Sequence, residues 1–251
     1  MRPFLFLGIA LLASGAGVSA AEPQRFASGE NRTPLIELYT SEGCSSCPPA
    51  ERWLGELRDS PGLWRDFVPV AFHVNYWDRL GWPDRFASRE GTQREHAYAA
   101  AWGGNSVYTP CFVRDGAEWR TQTRSLSAST EKTGVLEATV AGDGICRVKF
   151  SPTARPLSGG QSKFDLYVAL LGGSLTSRVT AGENRGETLR HEFVVLAFEK
   201  HPLPDPAQGG AAEFALPRSK ITDVPRRAVA FWITRRDELA PLQSVGGWLQ
   251  L

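Results

Sequence analysis

Two cysteines three positions apart are the residues best suited to chemistry, in the segment Cys44-Ser45-Ser46-Cys47. This C-x-x-C spacing holds two sulfurs close enough to form a disulfide. A helix that begins here would place the first sulfur at its N-terminus, where backbone N–H groups and the helix dipole stabilise a thiolate. Cys44 is therefore the predicted nucleophile, and Cys47 the thiol that resolves a mixed disulfide.

Other interpretations of the cysteine pair stay open. The pair could form a purely structural disulfide, although so tight a loop limits what the bridge could stabilise. It could belong to a redox-inactive binding module on a thioredoxin fold. It could also belong to a thiol metal-binding chaperone that binds copper or another thiophilic metal together with His73 or His96. A zinc knuckle would need a second C-x-x-C or a closely spaced His pair, and the sequence has neither. No metal and no cofactor is predicted.

The first half of the chain alternates strand-like and helix-like patterns. The hydrophobic spacing and the position of the prolines predict each element, and an Asp-Gly pair between apolar residues is typical of a hairpin. This order predicts an α/β unit with a mixed sheet. The predicted elements are a strand at 35–39, a helix at 48–58, a strand at 67–74, a helix at 86–102 and a hairpin around Asp115-Gly116.

The second half loses the helical pattern. Short apolar segments are separated by stretches that contain Gly or Pro, which favours an antiparallel sheet or a small sandwich. The change of pattern places a boundary near residue 137. The strand candidates lie at 147–150, 164–171, 191–198, 213–216 and 229–234.

Thr109 and Pro110 stand just before the strand at 112, about sixty residues after the cysteines. In the thioredoxin fold, a cis-proline at this place in the topology lies against the C-x-x-C and leaves the preceding backbone free to pair with a substrate strand. X-Pro bonds are cis in only about 5–6% of cases, but the topology predicts cis here. Thr109 and Pro110, with Tyr76 and Trp77, are the predicted substrate groove.

Five segments resemble a secreted bacterial family called domain of unknown function 1223. The resemblance covers most of the chain after the first twenty residues and implies a thioredoxin-like domain with a β-rich extension. It implies no reaction, because the family has no established activity. The segments are ELYTSEGCSSCPP (37–49), FHVNYWDRLGW (72–82), VYTP (107–110), GENRG (182–186) and LRH (189–191).

This chain departs from the family pattern at two positions. Asn75 stands where an Asp is expected, which removes a carboxylate. Cys111 stands where a Gln is expected, which adds a thiol near the predicted site. The predicted fold class is therefore α/β, with a thioredoxin-like domain at 33–136 and a β-rich, antiparallel, sandwich-like domain at 137–251.

The first twenty residues have the pattern of an export signal. A short basic start precedes the apolar run 4–13, and Val18-Ser19-Ala20 fits a signal-peptidase site. We expect cleavage after Ala20 and a periplasmic or secreted protein, in a compartment that allows disulfides. With 28 Lys and Arg against 27 Asp and Glu, the chain has no charge excess for nucleic acid. A protein or small thiol/disulfide substrate is the expected partner, with a membrane redox partner as a further option.

Among the remaining polar residues, Glu37 lies in an apolar strand seven positions before Cys44. A buried carboxyl there, with a raised pKa, could pass protons to the resolving sulfur; the alternative is an outward-facing residue at a sheet edge. His73 ends the second predicted strand and is interpreted as a structural histidine. No role is assigned to Arg185 or His191.

Two further cysteines complete the set. A Cys111–Cys146 disulfide would tie the two halves together and close a loop of about 35 residues, worth about 3–4 kcal/mol in the chain-entropy model. The alternative is that Cys111 lies beside Cys44 as an auxiliary redox thiol. The function predicted from the sequence is an exported protein resembling a thiol–disulfide oxidoreductase.

Overall fold

The computed structural model describes residues 22–120, 126, 129–153, 164–203 and 211–250. The predicted export signal at 1–20 lies outside the described residues. No helix within them is long and apolar enough to cross a membrane. Their strands are β1 (Gln24–Ala27), β2 (Leu35–Thr40), β3 (Val68–His73), β4 (Cys111–Arg114), β5 (Ala117–Glu118), β6 (Gly134–Val140), β7 (Ile145–Pro152), β8 (Phe164–Gly173), β9 (Leu175–Arg178), β10 (Thr188–His191), β11 (Val194–Leu203), β12 (Ala212–Ala215), β13 (Arg226–Arg235) and β14 (Pro241–Trp248).

One large mixed sheet contains strands from both halves of the chain. Its eight strands lie in the order β14-β13-β8-β11-β3-β2-β4-β5. β3 pairs in parallel with β2 on one side and with β11 on the other, while the other neighbours are antiparallel. The second half therefore continues the sheet that the first half begins.

A second sheet has four antiparallel strands in the order β1-β6-β7-β12, and β9 pairs with β10 in a two-stranded ribbon. The four-stranded sheet packs against β8, β13 and β14 of the large sheet. Alternate side chains of β6 and β7 point into the layer between them, as the two-residue period of a strand requires. The buried residues of this layer include Leu136, Val148, Leu166, Val229 and Phe231.

Two α-helices, α1 (Pro48–Glu56) and α2 (Arg89–Ala101), cover the β2 end of the large sheet. Ile36 and Leu38 of β2 pack with Leu54 of α1. Tyr39, on the alternate face of the strand, packs with Tyr98 of α2. The alternation along one buried strand thus assigns one helix to each face.

The hairpin predicted at Asp115-Gly116 is confirmed, since β4 and β5 pair across these two residues. Asp115 has φ 51° and Gly116 has φ 86°. Left-handed conformations at both central residues match a two-residue hairpin turn, and they explain the Asp-Gly pair.

The predicted α/β, thioredoxin-like fold class with a separate β-rich extension is wrong. The chain is mainly β: fourteen strands and only two α-helices are found among the described residues. Both helices lie where the sequence predicted them, but β11 adds to the edge of β3 and extends the sheet with β8, β13 and β14. An open edge strand presents unpaired N–H and C=O groups, and local pattern does not reveal which distant strand will cover it.

Candidate functional site

Cys44 and Cys47 form a disulfide in the turn that joins β2 to α1, with their Cα atoms 5.5 Å apart. Cys47 is the N-cap residue of α1, which starts with Pro48. Proline is tolerated there because the first N–H groups of a helix have no intrahelical partner. The Ser46 hydroxyl lies 3.3 Å from the sulfur of Cys44. The predicted pair therefore lies at the amino end of a helix.

Both cysteines are 0% exposed, although Ser45 between them is exposed. The segment between β9 and β10 is hydrogen-bonded to the turn that contains both cysteines. Asn184 donates hydrogen bonds from Nδ2 to the carbonyl oxygens of Glu42 (2.8 Å) and Cys44 (3.0 Å). The N–H of Ser45 donates to the carboxylate of Glu183 (3.0 Å). A thiol reagent would therefore reach the sulfurs only after the β9–β10 segment, or the residues on the other side of the disulfide, move away from it.

The opposite wall contains the predicted groove residues. The Thr109–Pro110 bond is cis, as predicted, and the carbonyl oxygen of Thr109 lies 3.8 Å from the sulfur of Cys44. Trp77 donates from Nε1 to the Thr109 hydroxyl at 2.8 Å. Tyr76 and Trp77 are half-buried and their rings lie 6.4 Å apart. The structure thus brings Thr109 and Trp77 to the disulfide.

Glu37 is fully buried, but its hydrogen bonds do not lead to the cysteines. Arg94 donates to both of its carboxylate oxygens, at 2.6 and 3.1 Å. The hydroxyls of Tyr39 and Tyr98 also donate to it, at 2.9 and 2.6 Å. The burial of Glu37 agrees with the interpretation of a buried acid, while its proton-transfer role remains a prediction.

A buried polar network that the sequence analysis missed lies beside the disulfide turn. Thr40 donates to one carboxylate oxygen of Glu51 at 2.6 Å, and His191 bonds the other. His191 also contacts Glu42 at 3.1 Å, and His73 bonds Asp84 at 2.6 Å. Most of these residues belong to the family-like segments at 37–49, 72–82 and 189–191. Membership in those segments is the one feature of the sequence that could have identified the network.

The charges in this network shift its pKa values. Burial alone would lower the pKa of His191, but the carboxylates of Glu51 and Glu42 raise it to about 10. Burial would raise the pKa of Glu51, yet the neighbouring His191 holds it below its usual range. The pKa of His73 is raised in the same way, because Asp84 outweighs the effect of burial. The histidines and carboxylates of this network are therefore held as ion pairs.

The predicted Cys111–Cys146 disulfide is wrong, since both cysteines are free and buried. Cys111 packs with Tyr39 and Val113 against α2, whereas Cys146 packs with Val148 between the two sheets. The two thiols belong to different cores, so no bridge can join them. Burial raises the pKa of each to about 12, which keeps both protonated at neutral pH. His96 is exposed on α2.

A second buried acid lies on the groove side. Glu95 of α2 is 3% exposed, and the hydrogen-bonding groups beside its carboxylate are Tyr76 and the backbone of Tyr108. Burial raises the pKa of Glu95 to about 8. Burial also raises the pKa of the neighbouring Tyr76. Glu95 is therefore a carboxyl that is largely protonated at neutral pH.

Two solved structures share this fold. Protein AGR_C_4864 from Agrobacterium tumefaciens is 23% identical, with a TM-score of 0.58 over 88% of this chain and 96% of that one. HBP35 of Porphyromonas gingivalis is 13% identical, with a TM-score of 0.51 over 88% of this chain and 76% of that one. At these identities the likeness concerns the fold alone. No curated protein is significantly similar to the chain.

The family model described as protein of unknown function DUF1223 matches residues 35–234. The match includes the disulfide turn, the cis-proline and the segment that holds Asn184 over the turn. It also extends through every strand of the large sheet except β14. The chain therefore belongs to the DUF1223 family.

Proposed function

We propose that this chain is an exported protein whose Cys44–Cys47 pair performs thiol–disulfide exchange with a protein or small thiol/disulfide substrate. One observation carries the proposal: the two cysteines form a disulfide at the amino end of α1. The dipole of α1 places partial positive charge at that end, which favours a thiolate over a thiol. The half-buried groove residues Thr109 and Trp77 stand on one side of the pair.

The exchange has two steps. In the reductive direction, the thiolate of Cys44 attacks one sulfur of a substrate disulfide, the substrate S–S bond breaks, and one substrate sulfur leaves as a thiolate. The thiolate of Cys47 then attacks the sulfur of Cys44 and releases the second substrate thiolate. The substrate is reduced and the Cys44–Cys47 pair is oxidised. The reverse sequence oxidises a dithiol substrate.

Single-cysteine variants test the proposal, with reduction of insulin by the reduced protein as the assay. We expect Cys44→Ser to lower the rate at least about 100-fold, because it removes the nucleophile. Cys47→Ser should accumulate mixed disulfides that a non-reducing gel or mass spectrum detects. Cys146→Ala is the matched control, since this buried thiol lies in the other core, and it should keep the wild-type rate. Equal activity in Cys44→Ser and the control would reject the proposal.

The burial of both cysteines makes the β9–β10 segment a determinant of access. Asn184→Ala removes two hydrogen bonds to the carbonyls of the disulfide turn, each worth about 1 kcal/mol. We expect the disulfide of this variant to react about 5–30 times faster with dithiothreitol, a range that follows from 1–2 kcal/mol of easier opening. Stopped-flow measurement of the reduction rate checks this. Asn31→Ala, which changes an exposed amide before the opposite end of β2, should leave the rate unchanged.

The same burial favours one alternative, a redox-inactive module in which the disulfide is structural. The reduction potential of the Cys44–Cys47 pair separates the two functions. A potential below about −300 mV is typical of structural disulfides, while exchange enzymes lie at about −270 to −120 mV. A potential in the lower range, with no insulin reduction, would favour the structural alternative.

A further inference from the structure

Three buried side chains from three separate elements meet beside the disulfide turn. Glu51 lies in the first turn of α1, His73 at the end of β3 and His191 at the end of β10. One ligand atom from each lies within 4.8 Å of the other two. The three residues are 8%, 1% and 2% exposed. Bringing them together requires both halves of the chain.

Each imidazole is fixed by a carboxylate on its far side. Asp84 bonds Nδ1 of His73 at 2.6 Å, and Glu42 contacts Nε2 of His191 at 3.1 Å. Histidines that bind metals typically use their second ring nitrogen in this way, which fixes the tautomer and the ring orientation. Asp84 is itself fixed by the N–H of Glu42 at 2.9 Å.

This arrangement leaves one buried nitrogen without a partner. Nε2 of His73 has no hydrogen bond to any described residue, although it is inaccessible to solvent. Buried polar atoms without partners are rare, and each one indicates a missing water, ion or functional role. Because Asp84 occupies the other nitrogen of the ring, Nε2 is the atom left to bind a ligand. On the neighbouring ring, Nδ1 of His191 is hydrogen-bonded to the carboxylate of Glu51, so a metal ion bound between them would take the place of the shared proton and release it.

We propose that Glu51, His73 and His191 bind one divalent transition-metal cation of the zinc class. Two imidazoles and one carboxylate form a donor set found in protein zinc and iron sites, with open positions for water or a substrate. The hard cations Mg²⁺ and Ca²⁺ prefer oxygen ligands, so the two imidazole nitrogens disfavour them. The site contains no cysteine and is independent of the proposed thiol exchange.

A cavity of about 400 Å³ supplies a route from solvent. Its lining includes Glu51 of the cluster, Asn184 of the segment over the disulfide turn, and Arg190 beside His191. The cavity therefore reaches one of the three proposed ligand residues.

The experiment uses the full chain after removal of the first twenty residues, with the disulfide oxidised and all metal removed. Zinc chloride alone is titrated by calorimetry, and bound zinc is counted by elemental analysis. We expect one zinc per chain. X-ray absorption should give Zn–N and Zn–O distances of about 2.0–2.2 Å, without the Zn–S distance of about 2.3 Å.

Variants then assign the ligands. Glu51→Gln should weaken zinc binding at least about 100-fold, and Asp84→Asn, which changes the carboxylate that orients His73, about 10–100-fold. His96→Ala, on an exposed surface of α2, is the matched control and should bind like wild type. The double variant Cys44→Ser/Cys47→Ser should keep its zinc, so failure of thiol exchange would leave this proposal untouched.

Three results would overturn the proposal: less than one zinc per chain, sulfur in the zinc coordination shell, or unchanged affinity in folded Glu51→Gln. If Glu51→Gln does not fold, the X-ray absorption spectrum of the zinc-bound wild type tests the proposal, because it reports the ligand atoms directly. Zinc should also raise the unfolding temperature of the wild type, since a ligand that binds only the folded state stabilises it. Magnesium chloride at the same concentration should not.

Discussion

Replacement of Arg94 with methionine should lower the free energy of unfolding by about 3–5 kcal/mol, the usual cost of breaking a buried ion pair from one side. The guanidinium donates to both oxygens of Glu37 and lies 5.1 Å from the ring centres of Tyr98 and Tyr167. Methionine preserves much of the packing but leaves the Glu37 carboxylate buried without its cation. Urea unfolding followed by circular dichroism measures the loss.

Two further variants make this test specific. Arg85→Met removes a guanidinium that pairs with Asp223 at 2.8 Å on the surface, and exposed pairs contribute only about 0–1 kcal/mol. Arg94→Met combined with Glu37→Gln should recover part of the loss, because the buried charge is removed along with its partner. A loss in Arg94→Met no larger than that in Arg85→Met would show that the buried pair does not stabilise the sheet.

Replacement of Glu95 with glutamine should remove a large pH dependence of stability. Burial raises the pKa of Glu95 from its ordinary value of 4.5 to about 8. The folded state therefore keeps this proton to a higher pH than the unfolded state, and stability falls as the pH rises from 4.5 through about 8. Each unit of pKa difference corresponds to about 1.4 kcal/mol, so the full effect is on the order of 5 kcal/mol.

Urea unfolding of wild type and Glu95→Gln at pH 5, 7 and 9 measures this effect. The variant should gain stability relative to wild type as the pH rises, with the difference complete above about pH 8. Glu90→Gln, which changes an exposed carboxylate on the same helix, should follow the wild-type profile. Parallel profiles for Glu95→Gln and wild type would contradict the raised pKa.

Several features of the fold follow from short stretches of sequence. The spacing of Trp53, Leu54 and Leu57 after two prolines predicts α1, which forms at Pro48–Glu56. Asp115-Gly116 predicts the hairpin, because these residue types tolerate the left-handed backbone that the turn requires. The C-x-x-C predicts a disulfide, because a separation of three residues allows the two sulfurs to come within bonding distance in a turn. Each of these signals acts within a few residues.

The tertiary structure decided everything that depends on which strand lies beside which. Periodicity assigns Glu37 to one face of its strand but left open whether that face is buried, and its partner Arg94 lies 57 residues away. His191 meets Glu51 across 140 residues, only because β10 packs beside α1. A cysteine pattern suggested a Cys111–Cys146 bridge, yet sheet order puts the two thiols in different cores.

Residue types and spacing alone therefore indicate a cysteine pair at a helix start, whereas the pairing of β2 with β4 brings Thr109 and the cis-proline to the sulfur of Cys44 from 65 residues away. The tertiary structure decided that the chain forms one mixed sheet across both halves, and that two histidines and a glutamate meet beside the pair. The physical reason is the distance along the chain over which each kind of interaction acts. Backbone preferences and hydrophobic periodicity act over a few residues, whereas contacts such as Glu51 with His191 exist only after distant strands have paired and fixed the order of the sheet.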